Sequence, residues 1–513
     1  MIRNSVFLIL ILMIAVQAVA QIGAVSPPPP QGSQASSLPV SGRNVQNGSV
    51  TATQSPVPGT TTSVNTINPS IQVQGPYAGS ASSTVTAPFN GKLSLREAIE
   101  RGLAYNLGPI GLNEILHQAR GQSRMSRSAL LPNITGTVSE SLEQINLRAA
   151  GLKLNVPFAG FSLPTIIGPF NVTDFRARLS QTIFDFTALN NYRSAEQTLK
   201  ADSFSVDDAR DLTVLAVGGA YLQVIAAAAR VDAARAQLDT ANALYKQTAD
   251  QRSVGLVAQI DVNRAEVQVL TQQQRLVSLQ NDFSKQKINL ARLTGLPPND
   301  QYDLIDEVSF SVPPLSGFND ALKQALDQRS DLKAAEAQVQ AAERNRLAAR
   351  AERYPSLSVN ADYGTIGVNP AQSHPTYSVA GTLRIPIWEG GRTEGSIEQA
   401  EAALAQRKAE LSDLRARVES DLRNAYLDLQ AAASQIEVAQ KNLEVNEDTL
   451  TLNRQKLDAG ISDNLAVVQS QDALASARLD YINSLFAHNI AKLSLVRALG
   501  RASDSWPRFL TVK

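Results

Sequence analysis

Hydrophobic positions in this chain follow two periods that alternate along its length, one of seven residues and one of two. Leu404, Leu411, Val418, Ala425, Ala432 and Ala439 recur every seven residues, and Leu422, Leu429, Ile436, Leu443, Leu450 and Leu457 run beside them. An earlier stretch carries Val217, Val224, Val231, Leu238 and Tyr245 beside Ala220, Ala227, Ala234 and Ala241. A sevenfold repeat sustained over many turns keeps one seam of a helix against a partner, and small residues there let the backbones approach closely. The spacing predicts long helices packed as coiled coils. With no strong breaker between Thr187 and Gln251, the first would span roughly 95 Å at 1.5 Å per residue. Each long helix ends at a glycine-containing break, SVGLVAQID or DAGISDN, and the period then resumes. Val262, Val269, Leu276, Phe283 and Leu290 follow the first break; Val467, Leu474, Tyr481, His488 and Leu495 follow the second.

Between the helices the period drops to two. In TYSVAGTLRIPIW, Tyr377, Val379, Gly381, Leu383, Ile385 and Ile387 alternate with Thr376, Ser378, Ala380, Thr382, Arg384 and Pro386. Leu357, Val359, Ala361 and Tyr363 alternate with Ser356, Ser358, Asn360 and Asp362. A weaker pair lies near Leu131 to Gln144 and Val172 to Phe186, where Arg176, Arg178, Ser180 and Thr182 share one face. Strands of about 9 to 11 residues with one apolar and one polar face can cross a bilayer when tilted, although a soluble hairpin alternates in the same way. Trp388 and Phe184, at equivalent points where strand gives way to helix, suit the aromatic girdle of a membrane barrel. Four strands cannot close a barrel alone, since small barrels need about eight, and their exposed edges require pairing with other chains. A homo-oligomer follows, with a shared β-barrel continued by a barrel of long helices.

The order of helix, two strands, long helix, break and helix occurs twice. Ala98 and Pro132 recur 223 positions on as Ala321 and Pro355; Tyr221, Gly255 and Gly295 recur 205 positions on as Tyr426, Gly460 and Gly500. The chain divides on this basis into a signal peptide at 1–20, a disordered Pro/Ser/Thr-rich extension at 21–90 and a first repeat at 91–295. A connector at 296–317, a second repeat at 318–500 and a tail at 501–513 complete it. The first copy carries an insertion between its strands, around 146–171, which reads as an exterior loop.

Composition narrows the function. The first twenty residues combine Arg3, an apolar run from Val6 to Val16 and small residues at Ala18 and Ala20, the pattern of an export signal. In 21–90 single hydrophobics are scattered among Pro, Ser, Thr, Gly and Gln, too few to offset the entropy of ordering. After the signal no window of about 18 continuous apolar residues remains, so strands of a barrel would have to make any membrane crossing. Lys plus Arg and Asp plus Glu number 47 each, which leaves no net field to recruit nucleic acid. The absence of cysteine excludes disulfides, thiol chemistry and lipid attachment through an N-terminal cysteine. No phosphate-binding loop, nucleophile elbow, dinucleotide fingerprint or H-E-x-x-H occurs. His117, His374 and His488 are scattered over different elements, and His488 occupies the register of Phe283. Neither enzymatic activity nor a cofactor or metal is expected.

The chain is similar to the TolC-like outer-membrane efflux proteins over roughly Leu93 to Arg501. The similarity rests on LREAIERGLAYNLGPIGL followed by ALLPNITGT, on the second copy ALKQALDQRSDLKAAEAQVQAAERNRLAARAERYPSLSV, and on the breaks SVGLVAQIDVNRAE and DAGISDNLAVVQSQ. The resemblance implies a mainly α fold with transmembrane β: two tandem repeats, with four strands per chain contributing to a 12-stranded trimeric β-barrel in outer-membrane lipid. A long α-helical barrel continues it into the periplasm, with the connector and the tail as equatorial parts. It also implies the exit duct of an efflux or type I secretion system. Such a duct is a passive conduit driven by an inner-membrane RND or ABC transporter through a periplasmic adaptor (membrane fusion) protein.

In that arrangement Val254, Gly255 and Leu256, with Ala459, Gly460 and Ile461, form the tips that the adaptor engages. Glycine permits the reversal, so a purely structural turn is equally compatible with these residues. Related channels close the entrance with aspartates and a salt-bridge network near the second tip; here those positions hold Ala466 and Gln469, and the basic position is Ser462. Asp261 in the first copy does match the pattern, and Asp463 and Asp458 lie near the second tip. Asp261 and Asp463 are therefore candidates for an entrance constriction, with helix capping as the competing role. The alternative from a different class is a secreted coiled-coil scaffold or adhesin.

Overall fold

The computed structural model describes residues 48–57, 66–81, 91–147, 149, 165–297, 302–306, 310–311, 317–459, 461 and 464–510. The signal peptide expected at 1–20 lies outside them, as do Gly460, Ser462 and Asp463. Strands β1 (Val50–Val57) and β2 (Thr66–Val73) come first, then β3 (Lys92–Leu93). The first repeat consists of α1 (Leu95–Tyr105), α2 (Leu107–Ser128), β4 (Asn133–Asn146), β5 (Ile166–Phe184), α3 (Phe186–Ser253) and α4 (Gln259–Thr294). After β6 (Asp303–Leu304) the same order returns as α5 (Phe318–Gln328), α6 (Ser330–Ala351), β7 (Ser356–Gly367), β8 (Ser373–Arg384), α7 (Arg392–Asp458) and α8 (Asn464–Leu499). A short helix, α9 (Ala502–Ser505), follows.

Local chemistry sets the helix starts. Ser94 caps α1 by accepting from the Glu97 amide at 3.2 Å. Asn106, fully buried, accepts from the Gly108 amide at 2.9 Å to start α2 while its own amide donates to the Tyr77 carbonyl at 2.8 Å. Asp185 is the single residue between β5 and α3, and its Oδ1 accepts from the Thr187 and Ala188 amides at 2.8 and 3.0 Å. Two orphan amides at the start of α3 are thereby satisfied where a strand has just ended.

The sevenfold seams are buried as the spacing predicts. Leu404, Val418, Leu422, Ala425, Leu429, Ala432, Ile436, Ala439 and Leu450 face inward on α7, and Val217, Val224, Val231, Ala227, Ala234 and Ala241 do so on α3. Near the hairpin ends Leu244, Leu450, Val467 and Leu474 pack together. The central part of α3 is apolar around its whole circumference. It is long and apolar enough to cross a membrane, yet most of that stretch is buried inside the protein, against α1, α2, α4, α6, α8 and β2. A helix surrounded on all sides needs no polar face.

Within the segment expected to be disordered at 21–90, residues 48–57 and 66–81 are ordered. β1 and β2 form an antiparallel hairpin with Val50 opposite Val73 and Val57 opposite Thr66, followed by a 3₁₀ turn at Gly75–Ala78. The sparse hydrophobics suffice because long helices supply the surface they lack. Ile71 sits over Gly219 of α3, where a Cβ would stand 1.7 Å from its Cδ1, and the buried Tyr77 ring occupies the space a Cβ on Gly108 would take. The connector is likewise tied down: β3 and β6 pair in parallel, and the buried Tyr221 hydroxyl donates to the Leu93 carbonyl and contacts Asp306 Oδ2, both at 2.9 Å.

Candidate functional site: an amphipathic sheet and two hairpin tips

β4, β5, β7 and β8 form one antiparallel sheet in that order, so the central pairing, β5 with β7, joins the two repeats. The first-copy strands are displaced from the expected 131–144 and 172–186. In particular β5 begins at Ile166, so the last residues of the predicted insertion are strand rather than loop. β8 stops at Arg384, two residues before Pro386, which has no amide to give to a ladder.

Register divides the sheet into two faces. One row across it reads Thr135, Arg178, Asp362, Ser378 and the next polar row Thr137, Arg176, Gly364, Thr376. The row between them and the two that flank them point the other way: Ile134, Leu179, Ala361, Val379, then Gly136, Ala177, Tyr363, Tyr377, then Val138, Phe175, Thr365, Pro375. Ile134, Val138, Tyr377 and Val379 are 71–80% exposed. A contiguous apolar face of this kind is a liability in water and the expected surface of a strand in lipid. On the polar face Arg176 Nε contacts Asp174 Oδ2 at 3.2 Å, its Nη1 pairs with Asp362, and its Nη2 reaches Thr376 Oγ1 at 3.4 Å. Gly364 lies opposite, where a Cβ would come within 2.9 Å of the Arg176 Cα.

Phe184 ends β5, with its ring 6.4 Å from Phe186, which in turn meets Tyr354 edge-on at 6.2 Å. Trp388 lies beyond β8 and is 86% exposed, beside the still more exposed Ile387. Sequence reading singled out Phe184 and Trp388 but missed Phe186 and Tyr354; the signal for Tyr354 was its place just before Pro355, at the turn into the strand.

At the first tip Gly255 has φ +80, and the Leu256 amide closes the reversal on the Gln251 carbonyl at 2.9 Å. Val254 and Leu256 point into solvent. At the second, the Ala459 amide donates to the Gln455 carbonyl at 3.0 Å and the Ile461 amide to the Lys456 carbonyl at 2.9 Å, leaving Ile461 78% exposed. Asp261 does not cap α4: the N-cap is Ala258, without a side-chain bond. Asp261 instead stands in the first turn, where its negative charge meets the positive end of the helix dipole favourably, and lies 3.5 Å from Arg264. The partner screens part of that charge.

Farther along the helices, polar groups are paired across the seams. Gln268 donates to Asp472 at 2.6 Å, Asn453 to Ser470 at 2.7 Å and Arg230 to Asn483 at 2.6 Å. His488 is buried beside the Phe310 ring at 4.9 Å, in keeping with the packing role expected for it. Burial, aided by the Lys492 charge, lowers its pKa to about 4; burial lowers that of Lys492, whose Nζ donates to Ser311 at 2.8 Å, to about 8. Near the C-terminus Arg497 pairs with Asp208 and lies 3.7 Å from Asp331, while Arg329 bridges Asp331 at 2.6 Å and Asp421 at 3.0 Å. Burial raises Asp208 to about 6 against the pull of Arg497. Burial also opposes ionisation of Asp331, but Arg329 and Arg497 hold it below its ordinary value.

A sheet of this polarity, continued by paired helical hairpins, defines a membrane-embedded strand element on a long helical body. A family model described as outer membrane efflux protein matches residues 115–296 and again 321–501; the chain belongs to that family, as the sequence reading expected, and is an outer-membrane protein. It is 28% identical over 295 residues to the pyoverdine export outer membrane protein OpmQ of Pseudomonas aeruginosa, a match covering 56% of this chain and 60% of that protein. It is 26% identical over 350 residues to the toluene efflux pump outer membrane protein TtgC of Pseudomonas putida, covering 64% and 68%. The fold matches the crystal structure of the Campylobacter jejuni CmeC outer membrane channel with a TM-score of 0.69 at 17% identity, over 80% of this chain and 86% of that one. The alignment with OpmQ thus spans about 60% of that relative's length.

Proposed function

We propose that three copies of this chain enclose a water-filled passage, each contributing its four strands to a 12-stranded barrel continued by a barrel of α3, α4, α7 and α8. The chain then serves as the passive exit duct of a multicomponent efflux or type I secretion system. The observation that carries this reading is the four-stranded sheet: among the described residues both edges, β4 and β8, lack a neighbour, and its faces have opposite polarity. In lipid an unpaired edge leaves every second amide unsatisfied, and pairing β8 of one copy with β4 of the next removes the edges while turning the polar rows inward. A soluble scaffold or adhesin would leave the apolar rows in water.

Within this reading the aromatics Phe184 and Trp388 mark the inner membrane boundary. The tips, with Val254, Gly255 and Leu256 and with Ala459, Gly460 and Ile461, dock a periplasmic adaptor that couples the duct to an RND or ABC transporter in the inner membrane. Exposed apolar side chains at both tips support that role. Asp261, and Asp463 at the second tip, would ring the entrance. The names of OpmQ and TtgC, referring to pyoverdine and toluene, favour small molecules as cargo. Purification from outer membranes, cross-linking and planar-bilayer conductance test the proposal. A cross-linked trimer with steady channels is expected, and a folded monomer without conductance would overturn it. Asp261→Ala should weaken block by divalent cations; unchanged block removes Asp261 from the entrance.

A further inference from the structure

Four arginines lie together on one side of the first repeat, directly below the sheet. Arg120, Arg124 and Arg127 follow one another at i, i+4 and i+7 on α2 and so share one flank of that helix. Arg193 stands on α3, seven residues after Phe186 and therefore on the same side of the helix as that ring. α2 packs along α3. With α2 running toward the sheet and α3 away from it, their right-handed winding turns the arginine flank of α2 to the side of Phe186 and Arg193. Arg127 lies close to α3 on that side. The Tyr192 hydroxyl donates to Glu196 at 2.6 Å, which raises its pKa, and the charge of Arg127 opposes the rise.

All four arginines are exposed, and none forms an ion pair among the described residues. Glu196, the acid beside them, is engaged by Tyr192. The repeat architecture does not require these cations. At the 223-residue offset the three of α2 correspond to Glu343, Leu347 and Arg350, and at the 205-residue offset Arg193 corresponds to Glu398. There Arg350 pairs with Glu401 at 2.5 Å and Glu343 lies 3.7 Å from Arg346. The duplicated surface is thus neutralised in one copy and left positive in the other. Its height matters as much as its sign. Phe186 belongs to the aromatic cluster with Phe184 and Tyr354 at the lower end of the apolar face. Arg124 and Arg127 lie within roughly 6 Å of the end of α2, and Arg193 roughly 10 Å below Phe186. A headgroup layer is roughly 5–7 Å deep, within reach of long side chains that extend toward it.

We propose that Arg120, Arg124, Arg127 and Arg193 form a binding surface for anionic phospholipid headgroups in the inner leaflet of the outer membrane. The protein resides in that membrane, and the patch continues the apolar face of the sheet downward. A lipid whose chains lie along Ile134 and Val138 therefore presents its phosphate to the arginines. Guanidinium groups bind phosphate through paired, charge-assisted hydrogen bonds. A zwitterionic headgroup brings its own cation into the same field and loses most of that attraction. Only the first repeat carries the patch, so each chain would hold such lipids on one side and not on the other. The inference rests on the strands lying in lipid, which is part of the duct reading, and not on the number of copies.

Lipid retained by the full chain after gel filtration in detergent tests it, with dioleoylphosphatidylglycerol and dioleoylphosphatidylcholine offered at equal concentration and quantified by mass spectrometry. The glycerol lipid should be retained about tenfold over the choline lipid. Sodium chloride at about 1 M should bring that ratio close to one. The triple variant Arg124→Gln, Arg127→Gln, Arg193→Gln should do the same at low salt. Lys246→Gln, on α3 roughly 90 Å from Phe186, should leave the ratio unchanged. Equal retention of the two lipids by the unmodified protein would overturn the proposal. So would a preference that survives high salt or the triple variant. Release of the glycerol lipid by inorganic phosphate beyond that by sodium chloride at equal ionic strength would make the patch a site for the free anion and overturn it as well. Conductance of the same samples keeps the two readings apart: channels without a lipid preference strike the patch and leave the duct, and a preference without channels strikes the duct and leaves the patch.

Discussion

The long helices α3 and α7 occupy equivalent places in the two repeats and are nearly equal in length, 68 and 67 residues, yet their surroundings differ. α3 is enclosed by helices of both repeats and by the N-terminal hairpin, so Val214, Val217, Tyr221 and Val224 are all buried. α7 buries its heptad seams and leaves Val438, Val445 and Leu452 exposed at sevenfold spacing. One copy of the repeat has become the axle of the subunit while the other presents a stripe. Duplicated segments thus keep their geometry and diverge in what each face meets.

Substitutions at matched positions test that divergence. The largest effect is expected at Arg497, whose guanidinium neutralises Asp208 and Asp331. Arg497→Met should lower stability by about 3 kcal/mol, because it strands charges that are no longer in water. Its repeat mate Arg292 is exposed, and Arg292→Met should stay within about 0.5 kcal/mol. Thermal unfolding in detergent measures both, and equal losses would contradict the asymmetry.

Gly219→Val comes next. Its side chain would displace Ile71, with a loss of about 1–3 kcal/mol and faster proteolysis of residues 48–81. Asn424, at the same place in α7, is exposed and should accept valine with little change.

His488 supplies the pH test. Its folded pKa of about 4 lies below its ordinary 6.5, so the folded state binds fewer protons than the unfolded one. The stability linked to neutral His488 is therefore complete above about pH 6.5 and is lost as pH falls toward 4, on the order of 1–3 kcal/mol. His488→Phe, which copies Phe283 of the first repeat, should remove that acid-side loss. The comparison must be made against the unmodified protein, because Asp202 and Asp208, both raised to about 6 chiefly by burial, contribute with the opposite sign. Identical pH profiles would rule out the assignment.

The smallest effect on the subunit itself is expected for Val445→Lys. Stability of the isolated fold should change by less than about 0.5 kcal/mol while the cross-linked yield of the proposed trimer decreases. A trimer yield that does not change would separate the stripe on α7 from assembly.

Much of this architecture could be read directly from the chain. Sevenfold spacing located α3, α4, α7 and α8, and twofold spacing located β7 and β8 and sorted their residues into the two faces that the register shows. The weaker first-copy strands were found but misplaced, because Gly168 and Pro169 interrupt the run that β5 nevertheless includes. The β1–β2 hairpin was missed for a different reason. Its stability resides in Gly219 and Gly108, far along the chain, and local composition carries no trace of a socket. The same holds for Arg497, Arg329 and their carboxylates, which meet only after the helices pack. Of the tips, Val254, Gly255 and Leu256 were legible from the glycine break, whereas the contact of Asp261 with Arg264 required the helix.

The single-residue junction at Asp185 has a mechanical consequence. With nothing but a capped aspartate between β5 and α3, any tilt of that helix is passed directly to its strand as a torque. The corresponding joint from β8 to α7 runs through seven residues and contains Gly390 and Gly391, at φ +66 and +87. The second joint is longer and is spanned by Glu389, which contacts Arg384 and Arg392, so of β5 and β8 it is β5 that follows its helix the more directly.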